Sequence, residues 1–309
     1  MNRTIALAFG TPRKLPKARD CKGRVVVLDI AFAYDTDGGA GNWDKVTGRF
    51  LEGLGARLAA WVDHHDHDRH AAYAGDPRFV LSTKAEHPAC PEMVTPELVA
   101  RIGEVDTIVC HTDFDGLCAA AKWMRGGLEP YPGADEDARA IDTRTGRPSA
   151  IGERFDRALR GRPHDEGLFG LVVRHLSTGL ADAGLWGPID AAAAEYVAQE
   201  DEARRLSKGF VRLRGAPHGV AYLEVTQAEG EKRRPYDKTL LLLLGQERET
   251  IAMVIDRDAV ALAAPFHSGV DFLALLGLSG GMPTRVSVPR GRLPDVFRAL
   301  GVLEPPPSR

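Results

Sequence analysis

The stretch Leu58-Ala59-Ala60-Trp61-Val62-Asp63-His64-His65-Asp66-His67-Asp68 changes abruptly from apolar residues to acids and imidazoles. A short apolar segment such as Leu58–Val62 is typical of a buried β-strand. Two adjacent histidines on an extended backbone point to opposite sides, so one can bind a metal while the other faces the rest of a pocket. Asp63 can accept a hydrogen bond from an imidazole N–H and so fix its tautomer. The stretch therefore predicts a strand that ends at a functional site.

Two further apolar runs end in residue types that bind metals. They are Val25–Leu28, followed by Asp29, and Val105–Cys110, followed by His111, Asp113 and Asp115. Near-continuous apolar runs are typical of parallel strands that helices cover on both faces. The carboxyl ends of such strands share one edge of the sheet, where ligands bind. We therefore expect these residues to meet His64 in space.

The remaining pattern predicts a two-domain α/β protein. A chain of 309 residues is long enough for two ordinary domains. We expect a doubly wound, mainly parallel sheet over residues 1–208, with Leu168–Arg174 as one of its strands. A second, smaller α/β domain is expected over residues 209–309, where short strands include Leu240–Leu244 and Val270–Leu278.

Three segments rich in glycine, proline or charged residues are predicted to be irregular. They are the turn Gly38–Gly41, residues 131–167 around one helix near Ile151–Leu159, and the tail Glu304–Arg309. Chain termini of this composition are usually frayed.

The composition excludes some partners and favours others. A formal net charge of −3 provides no global positive field, so long duplex DNA is not an expected partner. Small nucleotides or short single-stranded oligonucleotides fit better. No segment has the length and apolarity of a signal peptide or a membrane span, so we expect a cytoplasmic protein without a membrane partner. The four cysteines lack CxxC spacing and are predicted to be packing thiols.

The cluster of acids implies a bound cation, because carboxylates packed together repel one another unless a cation neutralises them. A mixed set of imidazoles and carboxylates suits a divalent ion such as Mn²⁺. Each piece also has a simpler interpretation. Asp29 could close a turn, and His111-Thr112-Asp113-Phe114-Asp115-Gly116 could cap the helix that follows it. The convergence of three strand ends favours the metal site. We expect His67, His70 and His87 to lie at the protein surface or to support the metal ligands without binding the metal themselves.

These motifs resemble those of the DHH phosphoesterase superfamily, which includes RecJ-like single-strand nucleases, oligoribonucleases, cyclic-dinucleotide phosphodiesterases and manganese-dependent pyrophosphatases. Asp63-His64-His65 is similar to the signature that names the family, and His111–Gly116 is similar to its first motif, in the compact spacing of the oligoribonuclease branch. Val27-Leu28-Asp29-Ile30 resembles the second motif. A weaker match, Tyr196–Asp201, resembles a later helix that supplies a last carboxylate.

The resemblance implies a centre of two Mn²⁺ ions, with Mg²⁺ as the alternative metal. The implied metal ligands are Asp29, His64, His111, Asp113, Asp115 and Asp201. Asp29 would bridge the two ions. His65 would contact the phosphate, and Asp63 would hold His64 or His65 in orientation.

Two features depart from the family pattern. The motif His111–Gly116 normally precedes the other two motifs, whereas here it comes last. Only strand positions decide whether ligands meet, so a rewired sheet could retain the site. The Gly-Gly-Gly-His substrate motif is missing. Gly280 and Gly281 with Arg285 could partly replace it, because arginine suits phosphate, or they could form an ordinary turn.

The function implied by the resemblance is metal-dependent hydrolysis of a phosphodiester in a short oligonucleotide or small nucleotide. One alternative is the same chemistry on pyrophosphate or a cyclic dinucleotide. Another is a non-catalytic module that binds a nucleotide for regulation. A homodimer is compatible with the sequence.

Overall fold

The computed structural model describes residues 5–34, 42–216, 219–225 and 234–302. The chain divides into two units, Met1–Ala194 and Glu195–Arg309. The division falls within one long helix, Trp186–Ser207. The domain boundary expected after residue 208 stays a prediction.

The first unit alternates strands and helices, as a doubly wound fold requires. Its strands are β1 (Ala6–Phe9), β2 (Val25–Leu28), β3 (Leu58–Asp63), β4 (Asp66–His67), β5 (Phe79–Leu81) and β6 (Thr107–Cys110). Its α-helices are α1 (Arg49–Leu54), α2 (Pro96–Ile102), α3 (Phe114–Met124), α4 (Ala134–Thr143), α5 (Ala150–Gly161) and α6 (Glu166–Ser177). A π-helical turn, Asp44–Gly48, leads directly into α1. The helix α7 (Trp186–Ser207) crosses the division between the units.

Five of these strands form a parallel sheet in the order β1-β6-β2-β3-β5. The side chains of β2 alternate between two apolar clusters. Val26 and Leu28 belong to the cluster that includes residues of α3, α5 and α6, whereas Val25 and Val27 belong to the cluster that includes residues of α1. Both faces of the strand are buried, and this explains its uninterrupted apolar sequence. The predicted fold class is confirmed.

The strands of the second unit are β7 (Val211–Arg212), β8 (Val220–Glu224), β9 (Ile251–Ile255), β10 (Ala259–Ala263), β11 (Gly280–Gly281) and β12 (Arg285–Pro289). All of them except β11 form a five-stranded mixed sheet in the order β12-β10-β9-β8-β7. The further helices of this unit are α8 (Lys238–Gln246), α9 (Phe272–Leu276) and α10 (Leu293–Ala299). The pair β8–β9 is parallel, and the other pairs of the sheet are antiparallel. A second, smaller α/β unit is thus confirmed.

The predicted strand Leu168–Arg174 is wrong, because this segment lies in α6. The side chain of Asp165 caps that helix by accepting a hydrogen bond from the Leu168 amide at 3.0 Å. The buried apolar residues recur at helical spacing at Leu168, Phe169, Val172, Val173 and Leu176. A short apolar run fits a strand and a buried helix equally well, and here the preceding N-cap decides for the helix.

Two predicted strands of the second unit, Leu240–Leu244 and Val270–Leu278, are also wrong, since α8 contains the first and α9 lies inside the second. Asp237 caps α8 by accepting a hydrogen bond from the Leu240 amide at 3.0 Å. Asp271 caps α9 in the same way. An aspartate before a run of leucines is therefore the local signal that separates helix from strand here.

Residues 131–167 form the two helices α4 and α5, whereas the sequence predicts a loop-rich insertion around one helix. The carboxylate of Asp137 in α4 accepts hydrogen bonds from the Ser149 amide at 2.5 Å and from the Tyr131 hydroxyl at 2.7 Å. Ser149 in turn caps α5. The many charged residues of this segment conceal a narrow apolar face that packs on the core.

Some sequence expectations are not addressed by the fold. The turn predicted at Gly38–Gly41 and the tail Glu304–Arg309 lie outside the described residues. All four cysteines are buried thiols, as predicted. Among the described residues, no helix combines the length and apolarity that crossing a membrane requires.

Candidate metal centre

The carboxyl ends of β6, β2 and β3 lie side by side, and candidate ligands follow each of them. Leu28 pairs with Cys110 on one side and with Val62 on the other. The backbone continues this register, because the Asp29 amide donates to the Val62 carbonyl at 2.9 Å and the His111 amide donates to the Leu28 carbonyl at 3.2 Å. The rewired order of the motifs along the chain therefore still brings their strands together.

Asp29 turns the chain at the end of β2 with a left-handed backbone, φ 58°. Aspartate tolerates this conformation better than most residues other than glycine. Its two carboxylate oxygens face different neighbours: Oδ1 is 3.1 Å from Nε2 of His64, and Oδ2 is 3.7 Å from Nδ1 of His111. Asp29 is only 1% exposed. One buried carboxylate thus lies between two sets of ligand atoms.

Three groups of side chains among the described residues could hold a metal ion. They are Asp29 with His64 and His65, Asp29 with His111 and Asp113, and His64 with Asp115 and Asp142. Within each group the ligand atoms all lie within 4.8 Å of one another. We call the second set the Asp113 group and the third the Asp142 group.

The first turn of α3 positions the acids that follow β6. Asp113 is the N-cap of α3, and its Oδ1 accepts a hydrogen bond from the Gly116 amide at 3.2 Å. Its other oxygen, Oδ2, lies 2.9 Å from Nδ1 of His111. Asp115 is buried and places Oδ2 3.2 Å from Nε2 of His64. The helix-capping interpretation of this motif is confirmed, and the same geometry leaves a second oxygen of Asp113 for a ligand.

The adjacent histidines are oriented by different partners. Nδ1 of His64 lies 2.7 Å from the carbonyl oxygen of His87. Because a carbonyl only accepts, this nitrogen carries a proton and Nε2 faces the carboxylates. Nδ1 of His65 lies 2.8 Å from Oδ1 of Asp63. Asp63 therefore orients His65, and the backbone of His87 orients His64.

The carboxylates of Asp29, Asp113 and Asp115 repel one another in the absence of a cation. Burial, with the carboxylates of Asp115 and Asp113 close by, raises the pKa of Asp29 well above its usual range. Burial likewise raises the pKa of Asp115 to about 6, although His64 opposes the shift. Burial disfavours the charged ring of His111, but Asp113 raises the pKa of His111 to about 9. This electrostatic pattern is that of a site that gains from a bound cation.

Lys84 brings one cation to these carboxylates. It is 2% exposed, its Nζ lies 3.0 Å from Nε2 of His64, and it forms an ion pair with Asp142. Burial alone would lower the pKa of Lys84, but Asp142, Asp115 and Asp29 together hold this pKa above its usual value. The ammonium ion is therefore the state of Lys84 at neutral pH.

The Asp113 group and the Asp142 group differ in how well they suit a divalent metal ion. In the Asp113 group, Nδ1 of His111 is buried and makes no hydrogen bond of acceptable geometry, although carboxylate oxygens lie nearby. This donor set of one imidazole and two carboxylates suits Mn²⁺ or Mg²⁺. In the Asp142 group, the ammonium of Lys84 already lies against two of the donors. A metal ion there has to compete with that ammonium.

Lys84 and Asp142 were not identified from the sequence. Lys84 is the first residue of a short turn, and Asp142 lies near the end of α4, inside the segment predicted to be irregular. Neither residue has a sequence motif around it. A cap signal for α4 would have been needed even to predict the helix that carries Asp142, and its N-cap is Gly133 in a left-handed conformation.

The other predicted site residues belong to the second unit. Asp201 is exposed on α7, and none of the three groups includes it. Gly280 and Gly281 form β11, and Arg285 begins β12. The guanidinium of Arg285 donates a hydrogen bond to Oγ1 of Thr239 at 2.5 Å. Their roles as metal ligand and substrate contacts stay predictions.

The chain is similar to known proteins in structure but not detectably in sequence. No family model matches the chain, and no curated protein sequence matches it. Among solved structures, the chain is similar to the pGpG-specific phosphodiesterase PggH from Vibrio cholerae, with 12% identity, a TM-score of 0.48, and coverage of 90% of this chain and 97% of that one. It is also similar to exonuclease RecJ bound to manganese, with 15% identity, a TM-score of 0.44, and coverage of 90% and 74%.

Proposed function

We propose that this chain is a phosphoesterase of the DHH type that uses a divalent metal, Mn²⁺ or Mg²⁺, to hydrolyse a phosphodiester in a small nucleotide or short single-stranded oligonucleotide. The position of Asp29 supports this most strongly. Its two oxygens lie 3.1 Å from His64 and 3.7 Å from His111, so one carboxylate faces two sets of ligand atoms. Support comes from this donor set and not from the two structural likenesses.

Different residues of the site would bind the metal and contact the substrate. When bound at Asp29, His111 and Asp113, a divalent ion supplies a more acidic water and neutralises charge on the phosphoryl oxygens. The side chain of His65 is 20% exposed, and Nδ1–H is held by Asp63. Its Nε2 is thus the nitrogen left to meet the phosphate or the attacking water.

Lys84 makes the two candidate cation positions unequal. Its ammonium neutralises the Asp142 group, with Nζ 3.0 Å from His64. In the described residues, no lysine or arginine forms an ion pair with Asp29 or Asp113, and the cationic group beside these two carboxylates is the imidazole of His111. A metal at the Asp113 group would therefore displace a proton and not an ammonium ion. We propose tight binding of one ion at the Asp113 group and weaker binding of a second, in competition with Lys84.

Turnover and metal content test the proposal together. Purified protein with Mn²⁺ is incubated with a linear dinucleotide, a cyclic dinucleotide and pyrophosphate, and products are separated by chromatography. Hydrolysis of a phosphodiester is expected. His111→Ala should reduce turnover by at least about 100-fold, the upper end of the loss seen for residues that only support a ligand. It should also reduce bound Mn²⁺, measured by elemental analysis.

The matched control is His164→Ala, because His164 is exposed and belongs to none of the ligand groups. This variant should retain wild-type turnover and metal content. Full hydrolysis by folded His111→Ala protein would show that the assignment of this centre is wrong.

A second candidate function is a nucleotide-binding module without turnover. The position of Lys84 favours it, since a resident ammonium in the Asp142 group replaces a metal charge with one that cannot activate water. Calorimetric binding of a dinucleotide without any product from any substrate in the panel would support this candidate over the enzyme.

A further inference from the structure

The first unit has a concave surface outside the metal-ligand groups. It encloses about 510 Å³ between the segment that follows β1 and the helical segment Asp44–Leu54. Its basic lining residues are Arg13, Lys14, Lys17, Arg19, Lys45 and Arg49. No acidic residue lines it. We call this surface the basic groove.

The cations of the basic groove are exposed and largely uncompensated. All six side chains are exposed. Arg19 lies 3.8 Å from Asp20, but in the described residues no ion pair involves any of the other five. Lys45 and Arg49 are one helical turn apart, and like charges at that spacing destabilise a helix. A bound anion would remove this repulsion.

The walls of the groove are held in place. The guanidinium of Arg57 donates hydrogen bonds to the carbonyl oxygens of Cys21 at 2.5 Å and Ala18 at 2.8 Å. A Cβ added to Gly53 would lie 2.7 Å from Cβ of Ala18, so α1 packs directly on the opposite wall. The spacing between the two rows of cations is therefore set by the fold and not by loose side chains alone.

The groove begins at the same sheet edge as the metal centre. Its first wall follows Phe9 at the end of β1, and Phe9 pairs with Cys110, the residue directly before His111. The Gly10 amide continues this register by donating to the Cys110 carbonyl at 3.0 Å. The first wall of the groove and the motif that starts at His111 therefore follow neighbouring strands at the same edge of the sheet.

We propose that the basic groove binds the phosphodiester backbone of single-stranded nucleic acid, so that the substrate is an oligonucleotide that extends beyond the two nucleotides at the centre. The identity of the anion rests on the proposed function. Exposed arginines and lysines in a row suit a chain of repeated phosphates. Bases stack on exposed aromatic side chains, and the lining of the groove has none, so recognition of a particular base is not expected. Half of the twelve residues that line the groove are basic, whereas pockets for small molecules are lined mainly by apolar and aromatic side chains.

Binding of a labelled oligonucleotide tests the groove separately from the centre. Fluorescence anisotropy with an oligothymidylate decamer, in the presence of a chelator, is measured for wild type and for the double variant Lys45→Glu/Arg49→Glu. Loss of two phosphate contacts should weaken binding about 10-fold or more and reduce the dependence on salt, by about 0.7 in the logarithmic slope for each contact. Turnover of a dinucleotide with Mn²⁺ should remain at the wild-type level.

The matched control is Lys208→Glu/Arg214→Glu, which makes the same charge change at exposed positions of the second unit, outside the groove. Arg13→Gln/Lys17→Gln on the opposite wall is the second test variant, with a milder charge change. Weakened binding in both groove variants, and not in the control, supports the proposal.

Other outcomes overturn it. Equal decamer binding by groove and control variants would show that the groove does not bind the backbone. A polyglutamate of matched charge that binds wild type as tightly as the decamer would show a general polyanion site. Absence of dinucleotide turnover in every protein would contradict the proposed function, while the anisotropy would still decide the groove.

Discussion

At the scale of single residues, Lys84 decides how many cations the centre can accommodate. A buried ammonium 3.0 Å from His64 and paired with Asp142 supplies positive charge without an exchangeable ion. Removal of one partner of a buried ion pair leaves the remaining charge uncompensated, and this is strongly destabilising. A metal ion is the natural replacement for the lost charge.

Lys84→Met should therefore change both stability and metal binding. Without metal, we expect a loss of roughly 3 kcal/mol in the free energy of unfolding. With Mn²⁺, a second ion should bind more tightly than in wild type, because its competitor is gone. Calorimetry gives the stoichiometry, and electron paramagnetic resonance detects a coupled ion pair.

Lys122→Met is the matched control for that experiment. Lys122 is another buried lysine, and it donates to Asp135 and to the Pro91 carbonyl, outside the ligand groups. Its substitution should destabilise the protein without changing Mn²⁺ stoichiometry. Equal affinity for the second Mn²⁺ ion in wild type and Lys84→Met would contradict the competition.

Asp256 provides a pH-dependent contribution in the second unit. It is 4% exposed and accepts hydrogen bonds from Lys238 at 2.5 Å and from the amides of Asp258 and Ala259. Burial alone would raise the pKa of Asp256, but Lys238 and the two amides outweigh it and lower this pKa. A lowered folded-state pKa stabilises the fold above the unfolded value of about 3.9, and the gain is lost as pH falls through the folded value.

Asp256→Asn should therefore reduce the free energy of unfolding at neutral pH by roughly 2 kcal/mol, the worth of a hydrogen bond to a charged group. The difference from wild type should shrink below about pH 4 as the wild-type carboxylate is protonated. Chemical denaturation followed by circular dichroism at several pH values measures it. The control is Asp258→Asn at the exposed neighbouring position, which should change the free energy of unfolding at neutral pH by no more than about 0.5 kcal/mol.

At the scale of elements, the start of α3 determines the shape of the centre. The first turn of this helix carries Asp113 and Asp115, and Gly116 lies against the preceding loop. A Cβ at Gly116 would lie 2.7 Å from Cβ and 2.8 Å from the backbone nitrogen of His111. Only glycine allows the helix to begin this close to the histidine.

Gly116→Ala should push His111 away from Asp29. We expect weaker Mn²⁺ binding and a loss of roughly 1 to 3 kcal/mol of stability from the overpacked contact. Gly170→Ala in α6 is the control, because a Cβ there meets nothing within 4 Å. It should be neutral or stabilising by up to about 1 kcal/mol, since alanine favours helix. Unchanged Mn²⁺ affinity in Gly116→Ala would show that the close contact does not position the ligand.

Elements also explain where sequence-based prediction succeeds. Asp29, His64 and His111 follow parallel strands, and the period and length of those strands are local properties of the chain. The sequence predicts strands at the positions of α6 and α8 because a run of five to seven mainly apolar residues fits either a strand or a buried helix. Only packing on the core and an N-cap distinguish the two.

At the scale of the whole molecule, net charge is a poor guide to local partners. The 40 basic residues are outnumbered by 43 acidic ones, yet the lining of the basic groove contains only basic residues among its charged side chains. Exposed charges are screened over roughly 10 Å at moderate ionic strength, so a local surface acts independently of distant acids. A negative net charge therefore does not exclude a local surface that binds an anion.

The sequence by itself determined the parallel sheet and the residues at three of its strand ends, because apolar runs and the acids that end them are encoded within a few positions. Only the tertiary structure decided that Lys84 and Asp142 share the centre with His64, since these residues come from a turn and a helix that no local pattern connects. The same holds for the basic groove, whose two walls are separate segments joined where Gly53 packs on Ala18. Local patterns specify elements, whereas charge pairing and close packing depend on which elements meet.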